Sequence, residues 1–218
     1  RNHLQRSIMK EYLKITNECN MELMKRYPDN HFDLAIVDPP YGIDVTKMEM
    51  GGRKRNKQDK KKNWDNAVPT KKYFDELFRV SKNQIIWGGN YFDLPCSQYF
   101  CVWDKGETMY GRDFAEAEFA WVRKGGTRIY KKNPNQLNRI HPTQKHVSLY
   151  HFCLKKYAKE GFKILDTHLG SGSIAIAVDS VNKIEKMNLT LTACELDKEY
   201  YQTATQRIKE QTTWNSLF

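Results

Sequence analysis

The sequence predicts one α/β domain spanning residues 1–218, with a mostly parallel central sheet and helices on both faces. Three observations predict it. The apolar, β-branched run Asp33-Leu34-Ala35-Ile36-Val37 stops at Asp38-Pro39-Pro40, as a buried parallel strand does at the carboxyl edge of a sheet. A second apolar run, Phe162-Lys163-Ile164-Leu165-Asp166, also ends in an acid and passes through a glycine-containing turn into a helix of small apolar residues. Around both runs, strand-like stretches alternate with stretches of helical spacing, and 218 residues suffice for one sizeable core.

Taken in order, residues 1–11 are polar and basic and read as a loose arm, and Leu13-Lys14-Ile15 is a candidate strand. Met21, Leu23, Met24 and Tyr27 predict a helix over residues 17–27, which Pro28-Asp29-Asn30 breaks before the central strand. Tyr73, Phe74, Leu77, Phe78 and Val80 predict a helix over 71–81, and Gln84-Ile85-Ile86-Trp87 reads as the next buried strand. Residues 99–103 and 118–122 read as strands that pair as neighbours, whereas 123–140 has little periodicity and reads as a loop or small ribbon.

A helix is expected to open at His141-Pro142-Thr143-Gln144-Lys145, with Val147, Leu149, Phe152, Leu154 and Tyr157 on its buried face. After the second acidic strand, the helix from Ser173 carries Ile174, Ala175, Ile176, Ala177 and Val178. Residues 189–194 alternate as a strand ending at Glu195, and 198–209 form an amphipathic helix.

Chemistry is expected at the strand tips, because open α/β sheets bind ligands at their carboxyl edge. Two successive prolines remove two backbone donors and keep the chain extended, so a following helix cannot take up the carbonyl oxygens. With the Asp38 carboxylate these form a cluster of acceptors beside the Tyr41 ring. A planar group with an amino donor, such as a nucleobase, suits that cluster.

Asp38-Pro39-Pro40-Tyr41 resembles the signature tetrapeptide of amino-group DNA methyltransferases, which methylate adenine N6 or cytosine N4. The resemblance implies that Asp38 and the Pro39 carbonyl bind the target amine and that Tyr41 stacks on a flipped base; Asp in first place is typical of the adenine enzymes. It further implies a Rossmann-like fold, with S-adenosyl-L-methionine as methyl donor and double-stranded DNA as partner. Residues 141–145 resemble the family motif that helps bind the methionine end of the donor, which assigns His141, Thr143 and Lys145 to it.

Asp166 is expected to hold the donor's ammonium group, the turn Leu169-Gly170-Ser171-Gly172 to pack under its sugar and sulfonium, and Glu195 to accept the ribose hydroxyls. A Gly-x-Gly pair alone could equally suit a dinucleotide; the acid at the strand tip and the lack of a full G-x-G-x-x-G disfavour phosphate. Where the family places an adenosine-binding acid, this chain has Glu18-Cys19, so either residue, or only a helix start, fits. Asn90 follows a glycine pair in a Trp-Gly-Gly-Asn-Tyr-Phe stretch similar to that of phage-encoded relatives, a second-rank site residue with a plain turn as the alternative. Because the base motif precedes the cofactor turn, the order resembles the permuted β class, familiar from restriction-modification.

A formal charge of +10 favours a polyanionic partner, nucleic acid first and an acidic membrane surface second. Within the basic loop expected over residues 44–70, Arg53, Lys54, Arg55, Lys60, Lys61 and Lys62 follow the base motif directly and are expected to meet DNA phosphates, as are Arg128 and Lys131 in the short target-recognition segment 123–140. So short a segment leaves recognition to a short site, to the loop, or to a second subunit in a homodimer.

No run is long enough to span a bilayer, and a soluble cytoplasmic chain is expected. The five scattered cysteines have no zinc-ligand spacing, so no structural metal is expected. Competing readings are an N4-cytosine enzyme, an RNA adenine methyltransferase, a non-catalytic DNA-binding subunit that keeps the fold and, more weakly, a nicotinamide dehydrogenase.

Overall fold

The computed structural model describes residues 10–43, 67–113, 115–136, 139–141 and 143–214. In chain order these form β1 (Leu13–Asn17), α1 (Asn20–Lys25), β2 (Leu34–Val37), α2 (Lys71–Val80), β3 (Gln84–Trp87), β4 (Tyr99–Asp104), β5 (Ala117–Val122), β6 (Arg128–Lys131), α3 (Val147–Tyr157), β7 (Lys163–Asp166), α4 (Ser173–Glu185), β8 (Thr190–Glu195) and α5 (Lys198–Trp214). The strands make one sheet in the order β1-β8-β7-β2-β3-β5-β4-β6, parallel except for β5, which runs against both its neighbours.

Every residue of β2 is buried, as expected of a strand covered on both faces. Leu34 and Ile36 point into the layer made with α3, α4 and α5, through Leu149, Leu154, Ile174, Ala204 and Ile208. Ala35 and Val37 point into the opposite layer, with Leu23 and Met24 of α1 and Tyr73, Phe74 and Leu77 of α2. The same alternation holds at Ile164 and Leu165 of β7, so two helical layers clamp one sheet.

β2 and β7 lie side by side in parallel, with Leu34 opposite Ile164 and Ala35 opposite Leu165. From β2 the chain passes through α2 to β3 on one side; from β7 it passes through α4 to β8 on the other. The direction of winding therefore reverses between these two strands. A crevice at their carboxyl tips follows from that reversal.

Three boundaries differ from expectation for physical reasons. The first strand runs on to Asn17 and α1 starts only at Asn20, because the Glu18 amide and the Asn17 side chain both donate to the Glu195 carbonyl and keep the chain extended beside β8. Residues 128–131, within the segment read as a loop or ribbon, form a strand parallel to β4, from Cys101 opposite Arg128 to Asp104 opposite Lys131.

The third is at 141–145, which does not open a helix. The Gln144 carbonyl accepts from Gln136, the Lys145 carbonyl accepts from Ser173, and the His146 ring meets the Asn133 carbonyl. With these groups committed to tertiary contacts, α3 begins at Val147.

Among the described residues no helix is long and apolar enough to cross a membrane. Arg53, Lys54, Arg55, Lys60, Lys61 and Lys62 lie outside the described residues, as does most of the basic loop.

Candidate active site

Asp38 follows β2 directly, and its two carboxylate oxygens meet different donors. The Tyr41 hydroxyl donates to Oδ1 at 2.7 Å and the Lys145 ammonium to Oδ2 at 2.6 Å. Lys145 also lies 3.1 Å from the Tyr41 hydroxyl and 3.3 Å from Oε2 of Glu118 on β5, whose other oxygen is 3.1 Å from Lys105. The Lys145 side chain is only 3% exposed.

These charges sustain one another. Burial opposes the Lys145 ammonium, but Asp38 and Glu118 outweigh it and raise its pKa above the ordinary lysine value. Burial likewise opposes the Glu118 carboxylate, yet Lys145 and Lys105 hold its pKa below the usual range. At Asp38 burial prevails over Lys145 and Tyr41, and the pKa is raised.

Tyr41 rests on the turn that follows β3. Its ring stacks on Tyr91, with centroids 4.9 Å apart and planes 11° from parallel. Gly88, at φ +71°, is so close that a Cβ there would lie 2.2 Å from the ring. Gly88 thus lets the backbone carry the tyrosine, while Gly89 makes room for Trp121, where a Cβ would lie 2.5 Å away. Asn90 sits in the same turn and is exposed.

Across the crevice, Asp166 ends β7 with 1% exposure and accepts the His168 amide at 2.9 Å. Burial, followed by repulsion from Asp38 and Glu195, pushes its pKa up to about 8. The Gly170 amide donates to Oε2 of Glu195 at 2.9 Å and the Asp197 amide to Oε1 at 3.0 Å. Gly170 and Gly172 both have positive φ, and a Cβ at Gly172 would lie 2.7 Å from Ile208. Arg207 of α5 supports the turn from behind, donating to the Ser171 carbonyl at 2.7 Å.

Under the turn runs a buried relay. The Asn20 amide is 3.1 Å from His168 Nε2, His168 Nδ1 is 3.0 Å from the Thr167 hydroxyl, and that hydroxyl is 2.6 Å from the Tyr73 hydroxyl. Burial drives the His168 pKa down to about 3, so the ring is neutral and structural.

Over residues 53–206 the chain matches the DNA methylase family of the N6/N4 type. The chain belongs to this family of amino-group DNA methylases. The matched segment contains Lys145, Asp166 and Glu195 and begins after Asp38-Pro39-Pro40-Tyr41, which lies outside the match.

No curated protein is significantly similar to this methylase. Solved structures share its fold. M1.HpyAVI in complex with SAM is 18% identical, covering 90% of this chain and 98% of its own, with a TM-score of 0.56. TTHA0409, a putative DNA modification methylase from Thermus thermophilus complexed with S-adenosyl-L-methionine, is 14% identical over 92% and 94%, with a TM-score of 0.58. The PvuII DNA methyltransferase, cytosine-N4-specific, is 9% identical over 93% of each chain, at 0.52.

The methylase fold gathers Asp38, Tyr41, Lys145, Asp166, Gly170 and Glu195 at one sheet edge. His141 is beside the turn, its ring 4.5 Å from that of Tyr200 and its Nδ1 3.2 Å from the Thr143 hydroxyl. The motif assigns Lys145 to the donor's methionine end; in the structure its ammonium ends on Asp38, because two carboxylates and a phenol oxygen surround it there. Cys19 is exposed at the start of α1, and Arg26 takes the Glu18 carboxylate in a two-pronged ion pair, holding its pKa near 2.

Arg128 lies three residues back along β6 from the crevice edge and donates to the Thr127 carbonyl. Lys131 stands at that edge, paired with Glu107. Glu118, Lys105 and Tyr150 carry no sequence signal for a site. Burial, then the charges of Asp38 and Asp166, hold the Tyr150 hydroxyl firmly protonated.

Proposed function

We propose that the chain transfers a methyl group from S-adenosyl-L-methionine to N6 of adenine in duplex DNA, with the target base flipped out of the helix. The observation that carries this reading is the side-by-side placement of β2 and β7, which sets the Asp38 acceptors next to the Asp166 and Glu195 acids in one crevice.

The residues fit such a donor. Asp166 is a buried acid whose charge is poorly compensated, as a site for an ammonium group should be, and each Glu195 oxygen accepts one amide and keeps capacity for a ribose hydroxyl. Gly170 and Gly172 let the backbone form the floor, with His141 and Thr143 at its rim. When bound, S-adenosyl-L-methionine supplies an electrophilic methyl group.

The chain's own part is positioning. An exocyclic amine is a weak nucleophile because its lone pair is delocalised into the ring. Asp38 and the Pro39 carbonyl would accept its two hydrogens and aim that lone pair across the crevice, a gain of orientation rather than of covalent catalysis. Asp38, its pKa raised by burial, is placed to take the proton that the methylated nitrogen sheds. Tyr41 would offset part of the few kcal/mol needed to extrude the base, at roughly 1–3 kcal/mol per stacked base.

The basic residues of 44–66 and Lys131 would contact the phosphate backbone near the extruded base. Transfer of labelled methyl to duplex DNA, followed by sequencing that maps modified adenines, tests the reading. Label found only as N4-methylcytosine would replace adenine as the target. Absence of transfer despite cofactor binding would favour a non-catalytic subunit.

A further inference from the structure

Resting on that reading and going beyond it, we propose that Lys145 occupies on Asp38 the place the target amine will take, and that Glu118 receives the ammonium when the base enters. A base amine meets Asp38 with both of its oxygens already engaged. One of its oxygens holds the Tyr41 hydroxyl and the other an ammonium at 2.6 Å, a stronger donor than a conjugated amine. The ammonium is thus the amine's direct competitor for Oδ2.

The Lys145 side chain is only 3% exposed, and a lone buried cation is costly. It needs a second anion within reach. Glu118 is that anion, already 3.3 Å away, its pKa held below the usual range by Lys145 first and Lys105 second. The ammonium already lies 5.5 Å from the Trp87 ring centre and 5.6 Å from that of Tyr41, and such rings favour a nearby cation.

Only the side chain has to move, because Ser173 pins the Lys145 carbonyl. No proton moves and the net charge of the group is unchanged: two carboxylates and two ammoniums remain, with a neutral base added. Glu118 is accordingly a positioning residue that acts through Lys145, and Lys105 is a competitor for its charge.

The test uses single-turnover transfer of tritiated methyl into amplified, unmethylated genomic DNA, with S-adenosyl-L-methionine affinity measured separately by calorimetry. Glu118→Gln, nearly isosteric, is expected to slow transfer at saturating DNA by at least about tenfold, with cofactor affinity unchanged and Glu118→Asp restoring part of the rate. Lys105→Met, which leaves the Glu118 charge undivided for Lys145, is expected to keep or raise the rate. A merely structural role predicts loss in both.

Glu118→Gln at the wild-type rate, or equal losses in Glu118→Gln and Lys105→Met, would overturn the hand-over while leaving the methyltransferase standing. No transfer by the wild-type chain would overturn the underlying reading itself.

Discussion

The Ser173 hydroxyl donates to the Lys145 carbonyl oxygen at 2.8 Å, joining the first residue of α4 to the residue whose ammonium reaches Asp38. The two halves of the crevice are thereby mechanically coupled through one buried hydroxyl. Ser173→Ala leaves that carbonyl and an Arg207 donor short of a partner. Such a loss costs about 1–3 kcal/mol, and thermal unfolding should register it. Cofactor affinity and transfer rate should fall together, unlike the effect of changes confined to Asp38.

Asp38→Ala should abolish methyl transfer and leave S-adenosyl-L-methionine affinity nearly intact, because the proposed function assigns the donor to Asp166 and Glu195. Calorimetry beside a labelled-methyl assay checks the split, and equal loss of both would contradict this division of labour.

Asp166 makes stability and binding depend on pH in opposite senses. Its folded pKa of about 8 lies above the unfolded carboxyl value, so the folded state binds more protons between them. Stability without cofactor should therefore fall as pH rises, by at most about 1.4 kcal/mol per pH unit between about 4 and the folded value. Affinity for the donor's ammonium should rise over the same approach to pH 8, since the ionised fraction of the carboxylate grows until it reaches about one half there. Asp166→Asn should flatten both slopes in melting curves and in cofactor titrations.

Gly88→Ala places a methyl group where the Tyr41 ring now lies, in a backbone conformation that costs an L-residue about 1–2 kcal/mol. The chain should fold, with a melting temperature lowered by a few degrees, but transfer should drop by at least about tenfold as Tyr41 is displaced. Retained transfer would mean that the ring position is immaterial.

Neutralising Lys60, Lys61 and Lys62 together should lower the slope of log K against log salt for DNA by up to about 2.7, at about 0.9 per phosphate contact. An unchanged slope would remove this loop from the DNA interface.

Much of the sheet is legible in the sequence because burial on both faces leaves so plain a mark. Gln84-Ile85-Ile86-Trp87 is read with its observed bounds, and Ser173 as the start of its helix, since an apolar run beside glycine admits few alternatives. The segment 141–146 is misread because its helical signal loses to contacts made by Gln136, Asn133 and Ser173, which lie 8, 13 and 28 residues from their partners and outside the helical i to i+4 range. Glu118 escapes notice for a related reason. A polar residue in an alternating strand reads as a solvent face, and only the pairing of β5 with β3 and β4 brings it to Lys145.

β2 and β7 are paired neighbours, yet each strand begins its own run of connections away from the other. The stretch linking them includes the strands β4, β5 and β6, which build the opposite flank of the sheet. What unites the reactive groups is therefore edge-to-edge docking of two segments rather than the thread between them. Severed at the exposed Gly125, the pieces would still carry matching borders, and methylation could report their reunion.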